Sequence, residues 1–245
     1  MTKKNIKNTI AFGGKHAVLH SLNNLNNRIL KIYISTDKNL ELIPKHLVKF
    51  VEIKSIKEID KLFKQQTNHQ GFYVKMEAKI TKNFDDLKTN LKKYSEIIIL
   101  NNVYDDRNIG SVIRSCVAFD VTCLILEKRN YRADSPFMYK SASGAMEYID
   151  VYLVSNLNNT INFLKQNDFW IYCLDGSSKK NLFDINFQKN SAFIFGSEGK
   201  GTNQLVKKNS DEIISIPIND KIDSLNLSNS VAVTLSYLKK KPAKI

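Results

Sequence analysis

Four short apolar runs, almost uninterrupted by polar residues, limit what this chain can fold into. They are residues 96–101 (EIIILN), 121–126 (VTCLIL), 169–174 (FWIYCL) and 192–195 (AFIF). None approaches the roughly 18 residues of a membrane helix, and none shows the alternation of a strand with one wet face. Such runs predict strands buried on both faces, and residues 213–216 supply a fifth. Helical patterns separate them. Residues 110–119 carry Val112, Ile113, Cys116 and Val117 on one face, residues 158–167 turn Ile161 and Leu164 inward, and residues 228–240 form a last helix. Strands alternating with helices predict a parallel α/β sheet with its ligand beyond the carboxyl ends of the strands.

The N-terminal part reads as a smaller α/β domain of about eighty residues. A helix follows Gly13-Gly14 with Val18, Leu19, Leu22 and Leu25 as its stripe, and strands are expected at 29–34, 50–53 and 71–76. Short helices are expected around 38–50 and over 55–64, the second opened by a capping box of Ser55 and Glu58. Residues 78–93 are charged and show no strong apolar stripe, so they read as a connection between domains. The expected division is 1–77, a linker at 78–93, and 94–245.

Charge distinguishes the two parts. Of the net +13, residues 1–93 carry +11 (19 Lys and Arg against 8 Asp and Glu) and residues 94–245 only +2 (18 against 16). This concentration points to a polyanion partner, nucleic acid before a membrane surface. The basic start MTKKNIKNTIAFGGKH lacks the apolar core of a signal peptide, and a cytoplasmic protein is expected. Cys116, Cys123 and Cys173 form no C-x-x-C pair and read as buried, reduced thiols. His16 and His20 are four apart without a third ligand, the pattern of two helix-surface histidines. The basic tail at 239–244 reads as a solvated end.

The run at 192–195 breaks into Gly196-Ser197-Glu198-Gly199-Lys200-Gly201, which holds three of the nine glycines. Glycine is needed where φ is positive or where something approaches the backbone, so this turn is a tight corner or a ligand cradle. It lacks P-loop spacing, and Asn108-Ile109-Gly110-Ser111 is no G-x-G-x-x-G fingerprint, which argues against kinases and dehydrogenases. All four histidines precede residue 78, so chemistry at the turn has no local histidine base. The charged candidates are Asp105, Arg107, Arg114 and Glu198. Arg114 is either an exposed arginine at a helix edge or a guanidinium aimed into the ligand crevice. Glu198 fits a capping role, and Asn226 and Ser228 fit helix N-caps.

Three loops carry a resemblance. Asn108-Ile109-Gly110-Ser111-Val112-Ile113-Arg114 resembles the first motif of the SpoU-type RNA 2'-O-ribose methyltransferases. Phe195-Gly196-Ser197-Glu198-Gly199-Lys200-Gly201 resembles the second. Ile216-Pro217-Ile218 with Ser224-Leu225-Asn226-Leu227-Ser228 resembles the third. Phe12-Gly13-Gly14-Lys15-His16-Ala17-Val18 and His69-Gln70-Gly71 are similar to the substrate-binding domain of the RlmB-like rRNA guanosine methyltransferases. The resemblance implies a SPOUT domain, an α/β sheet with a deep trefoil knot, and a small N-terminal RNA-binding domain. It implies S-adenosyl-L-methionine in the knot, held at Gly196, Ile216 and Leu225 with Ser197, Gly201 and Ile218, and no metal. Arg114 would be catalytic, with Asn108, Glu198, Ser224 and Asn226 shaping the site.

The implied enzyme is a homodimer with its sites at the subunit interface, methylating a ribose 2'-hydroxyl of 23S rRNA, a guanosine. A tRNA methyltransferase and a non-catalytic ribosome-assembly factor are the alternatives. Two positions depart from the family pattern: Asn101 and Asp106 stand where members carry an aspartate and a proline.

Overall fold

The computed structural model describes residues 8–63 and 69–240. The basic residues 1–7 and 241–244, and Lys64 at the end of the expected second helix, lie outside it. The first elements are β1 (Thr9–Gly13), α1 (Lys15–Asn23), β2 (Ile29–Ile34), β3 (Val51–Ile53), α2 (Ile56–Phe63) and β4 (Phe72–Glu77). After them come α3 (Phe84–Asn90), β5 (Glu96–Asn101), α4 (Asp106–Ala118), β6 (Cys123–Glu127), α5 (Pro136–Ala142), β7 (Asp150–Val154) and α6 (Leu157–Gln166). The chain closes with β8 (Trp170–Leu174), β9 (Ser191–Gly196), α7 (Gln204–Asn209), β10 (Glu212–Ile214) and α8 (Leu227–Leu238). Among the described residues no helix is long and apolar enough to cross a membrane.

Two compact units result, residues 1–80 with 132–147, and residues 81–131 with 148–245. In the first unit the strands run β1-β4-β2-β3, antiparallel except where β2 meets β3. The sequence reading leaves β1 unassigned because it looks for the first element in the helix after Gly14. The expected helix at 38–50 is two 3-10 segments, Asp37–Leu42 and Lys45–Phe50, since Pro44 cannot donate a helical hydrogen bond between them. The Ser55–Glu58 capping box forms, with Glu58 Oε2 accepting from the Ser55 N–H at 2.8 Å.

Helix α5 lies within the stretch read as second domain, yet it packs in the first unit. Ser135 caps it, accepting from the Met138 N–H, and Pro136 begins it. Tyr139 is buried, stacks on Phe12 with ring centroids 4.8 Å apart, and accepts from the Lys79 N–H at 2.9 Å. Glu147 closes the segment by accepting from Ser21 Oγ (2.7 Å), Asn24 Nδ2 (2.6 Å) and Asn27 Nδ2 (2.9 Å).

The second unit is a six-stranded, wholly parallel sheet in the order β10-β8-β9-β5-β6-β7. Ile97, Ile98, Ile99, Leu124, Ile125, Phe193 and Ile194 are fully buried, as runs covered on both faces require. Each such aliphatic side chain contributes about 1.5–3 kcal/mol of hydrophobic stabilisation. From β5 the chain moves to β6 and β7 on one side, while β9, β8 and β10 lie on the other. The carboxyl ends of β5 and β9 therefore meet at a switch point, with Asn101 opposite Gly196.

Residues 81–93 of the stretch expected as a linker belong to this unit. Asn83 and Asp86 form a capping box for α3, Leu87 and Leu91 are buried, and Phe84 meets Phe163 edge to face at 5.4 Å. Charged residues between these apolar positions hide an i, i+3, i+7 stripe. β7 was likewise unassigned, although IDVYLV carries β-branched residues typical of a strand. The cysteines are free and buried, which pushes the Cys116, Cys123 and Cys173 thiols up.

Candidate active site

The first expected loop is shorter than its sequence suggests. Asp105 caps α4, accepting from the N–H groups of Arg107 (2.7 Å) and Asn108 (3.3 Å), so the helix begins at Asp106 and Asn108 lies in its first turn. Asp106 takes the first helical position. Proline suits that place through its fixed φ, and aspartate suits it through the helix dipole, so this departure preserves the helix start.

Asn101 has its own explanation. Its side chain is buried, with Oδ1 accepting from the Asn203 N–H at 2.9 Å and Nδ2 donating to Glu127 Oε2 at 3.3 Å. An aspartate here would set two carboxylates against each other. Asn101→Asp is expected to cost about 1–3 kcal/mol in denaturant unfolding, the scale of a buried group left unpaired. Like-charge repulsion raises carboxyl pKa values in the folded state, so the loss should grow as pH rises through the carboxylate range and shrink when Glu127→Gln is added. Equal loss at every pH, or no relief from Glu127→Gln, would contradict this account.

The glycine turn hangs from the end of β9. The Gly201 N–H donates to the Ser197 carbonyl at 2.8 Å, and Gly201 adopts φ +61°, where a side chain is strained. Gly196 is the tightest point: a Cβ there would lie 2.2 Å from the Gly201 carbonyl carbon and 2.3 Å from the Thr202 nitrogen. The tight-corner reading is thus correct at Gly196. The turn also borders a cavity of about 240 Å³, the space that a cradle would need.

That cavity draws together residues from separate parts of the chain. Gly196, Ser197, Glu198 and Gly201 line it from the turn, and Ile216, Ile218, Ser224 and Leu225 from the third motif. Leu174, Phe195 and Leu227 add apolar wall. Asp175 and Gly176 also line it, from the loop after β8. The sequence reading missed them although they follow the FWIYCL run, where a parallel sheet puts its ligand contacts. Burial works against ionisation of Asp175, but the ion pair with Lys207 and two hydrogen bonds from Ser177 outweigh it and hold the carboxyl below its ordinary value.

At the rim, three motifs converge on one carboxylate oxygen. Glu198 Oε1 accepts from Asn226 Nδ2 (2.8 Å), the Leu227 N–H (3.2 Å) and Asn108 Nδ2 (3.3 Å). Asn226 Nδ2 also donates to Asn108 Oδ1 at 3.3 Å. Asn226 takes part in two arrangements at once. Its Oδ1 caps α8, accepting from the Ser228 N–H at 3.0 Å, while its amide nitrogen joins the cluster. Arg114 differs from the other candidates: it is exposed on α4, does not line the cavity, and makes no hydrogen bond or ion pair among the described residues.

An uncharacterised tRNA/rRNA methyltransferase of Borreliella burgdorferi is 35% identical over 203 residues, covering 79% of this chain and 88% of its own. The 23S rRNA (guanosine-2'-O-)-methyltransferase RlmB of Pasteurella multocida is 28% identical over 231 residues, covering 91% and 94%. The fold is that of the SpoU methyltransferase AviRb of Streptomyces viridochromogenes, solved with the cofactor AdoMet. The TM-score is 0.75 over 94% of this chain and 89% of that one, at 15% identity. The profile of the SpoU rRNA Methylase family matches residues 95–236, from the first strand of the parallel sheet into its last helix, and the chain belongs to that family.

Proposed function

We propose that the protein transfers a methyl group from S-adenosyl-L-methionine to the ribose 2'-hydroxyl of a guanosine in 23S rRNA. The observation that carries this is the meeting of Asn108, Glu198 and Asn226 at the rim of a cavity lined by the glycine turn and the third motif. Apolar side chains at 174, 195, 216, 218 and 225 suit an adenine, and the polar groups of Ser197 and Ser224 suit the remainder of such a cofactor. When bound, the cofactor supplies a methyl group on a sulfonium centre. The curated relative named as a guanosine 2'-O-methyltransferase supports the substrate class.

In-line transfer to oxygen needs alignment and a hydroxyl whose proton is shared or lost. Three N–H donors fix Glu198 Oε1, while Oε2 makes no hydrogen bond among the described residues and can accept one from a substrate hydroxyl. Arg114 presents a planar fork of donors, so it orients the hydroxyl or a flanking phosphate. Its exposure fits a site completed at a subunit interface, and a homodimer with a knotted C-terminal segment, acting in the cytoplasm, is part of this reading.

The test is incubation of purified protein with labelled S-adenosylmethionine and, separately, ribosomal RNA and tRNA, followed by mapping of the methylated ribose. Label in a 23S guanosine is expected. Label in tRNA alone would replace the substrate. Absence of label together with absence of cofactor binding in calorimetry would leave a non-catalytic RNA-binding protein.

A further inference from the structure

Loop 102–105, between β5 and α4, is pinned at nearly every position but one. Asn102 sits at φ +58°, its N–H donates to Glu127 Oε2 at 3.2 Å, and its Oδ1 accepts from Arg129 Nη2 at 3.5 Å. Val103 is buried, and Asp105 is held as the cap of α4. Tyr104 lies between these anchors with 61% of its surface exposed. Phe183, Trp170 and Tyr148 are less exposed than Tyr104. Its ring stacks on no other ring, and its hydroxyl makes no hydrogen bond, among the described residues.

A single exposed tyrosine needs no explanation by itself. Its position does. It stands three residues beyond the end of β5 and four before Asn108, on a backbone held rigid on both sides, and it does not line the cofactor cavity. Sequence-specific recognition of structured RNA targets loops whose bases are splayed out of the stack, and an aromatic face offsets the stacking that is lost. The Arg129 guanidinium, which follows β6, is 67% exposed, pairs with Glu127 and reaches Asn102 Oδ1, placing a cation beside this loop for a neighbouring phosphate. We propose that Tyr104 is the platform on which the base of the target nucleotide stacks, a positioning residue for RNA that rests on the methyltransferase reading above.

Steady-state methylation of ribosomal RNA and filter binding of the same RNA test this with full-length Tyr104→Ala and Tyr104→Phe. Stacking on one base predicts that Tyr104→Ala raises the KM and Kd for RNA about tenfold, within the range of single base–aromatic contacts. Tyr104→Phe should stay within about twofold of wild type, because the ring is kept. The KM for S-adenosylmethionine, the melting temperature and the oligomeric mass should not move. Wild-type RNA affinity in Tyr104→Ala, a phenylalanine variant as weak as the alanine one, or dissociation into monomers would each overturn the proposal. If wild-type protein bound the cofactor but labelled no RNA, the methyltransferase reading would fall while the binding comparison still decided the role of Tyr104.

Discussion

Gly196→Ala is expected to abolish S-adenosylmethionine binding in calorimetry, at concentrations that saturate the wild type. The added methyl would lie 2.2 Å from the Gly201 carbon, 2.3 Å from the Thr202 nitrogen and 2.5 Å from the Gly201 oxygen. Carbon contacts settle at about 3.5–4.0 Å, so more than an ångström must be recovered. All three atoms are backbone, and no flexible side chain can yield. On its other side Gly196 is paired with Asn101 in the sheet, which leaves the 197–201 turn as the part that moves. That turn is a wall of the cavity. Overpacking of this kind costs about 1–3 kcal/mol, so the unit should stay folded while the site is displaced. Gly199→Ala is the matched control, because a Cβ there meets nothing within 4 Å. Cofactor affinity unchanged in Gly196→Ala would remove the turn from the binding site.

Arg114→Ala is expected to lower turnover by about 10²–10³, the range for loss of one positioned hydrogen-bond donor. Because Arg114 is exposed, holds no ion pair among the described residues and does not line the cavity, cofactor affinity and melting temperature should match wild type. That split separates catalysis from folding. Arg114→Lys should fail nearly as badly, since an ammonium cannot reproduce a planar, two-pronged donor. Retention of more than a tenth of wild-type turnover in Arg114→Ala would move the catalytic role to another residue.

The sheet of the second unit was legible because its strands are short β-branched runs covered on both faces, a pattern few alternatives share. Helix α3 was hidden by charges set between Phe84, Leu87 and Leu91, although Asn83 and Asp86 spell its cap. Helix α5 had a local signal in Ser135-Pro136, but its attachment to the first unit depends on Phe12, far away in sequence, and no local pattern encodes that. The site divides in the same way. Spacing alone left Glu198 and Asn226 as ordinary caps, and family resemblance brought them together. The shared oxygen that joins residues 90 and 28 positions apart is a property of three dimensions. Asn101 was a departure without a reason until Glu127 supplied its partner.

The segment 132–147 has a consequence for how the protein is made. The unit that begins at the N-terminus is finished only when residues 132–147 have been synthesised, after the first strands of the parallel sheet. Until then the ring of Phe12 lacks Tyr139, and Ser21, Asn24 and Asn27 lack the carboxylate of Glu147. A nascent chain therefore cannot finish its first unit before synthesis of the second has begun, unlike the usual order of vectorial folding. A fragment ending at residue 80 should expose the apolar surface that α5 covers and stay aggregation-prone. Grafting residues 132–147 onto that fragment through a flexible linker should restore a cooperative unfolding transition.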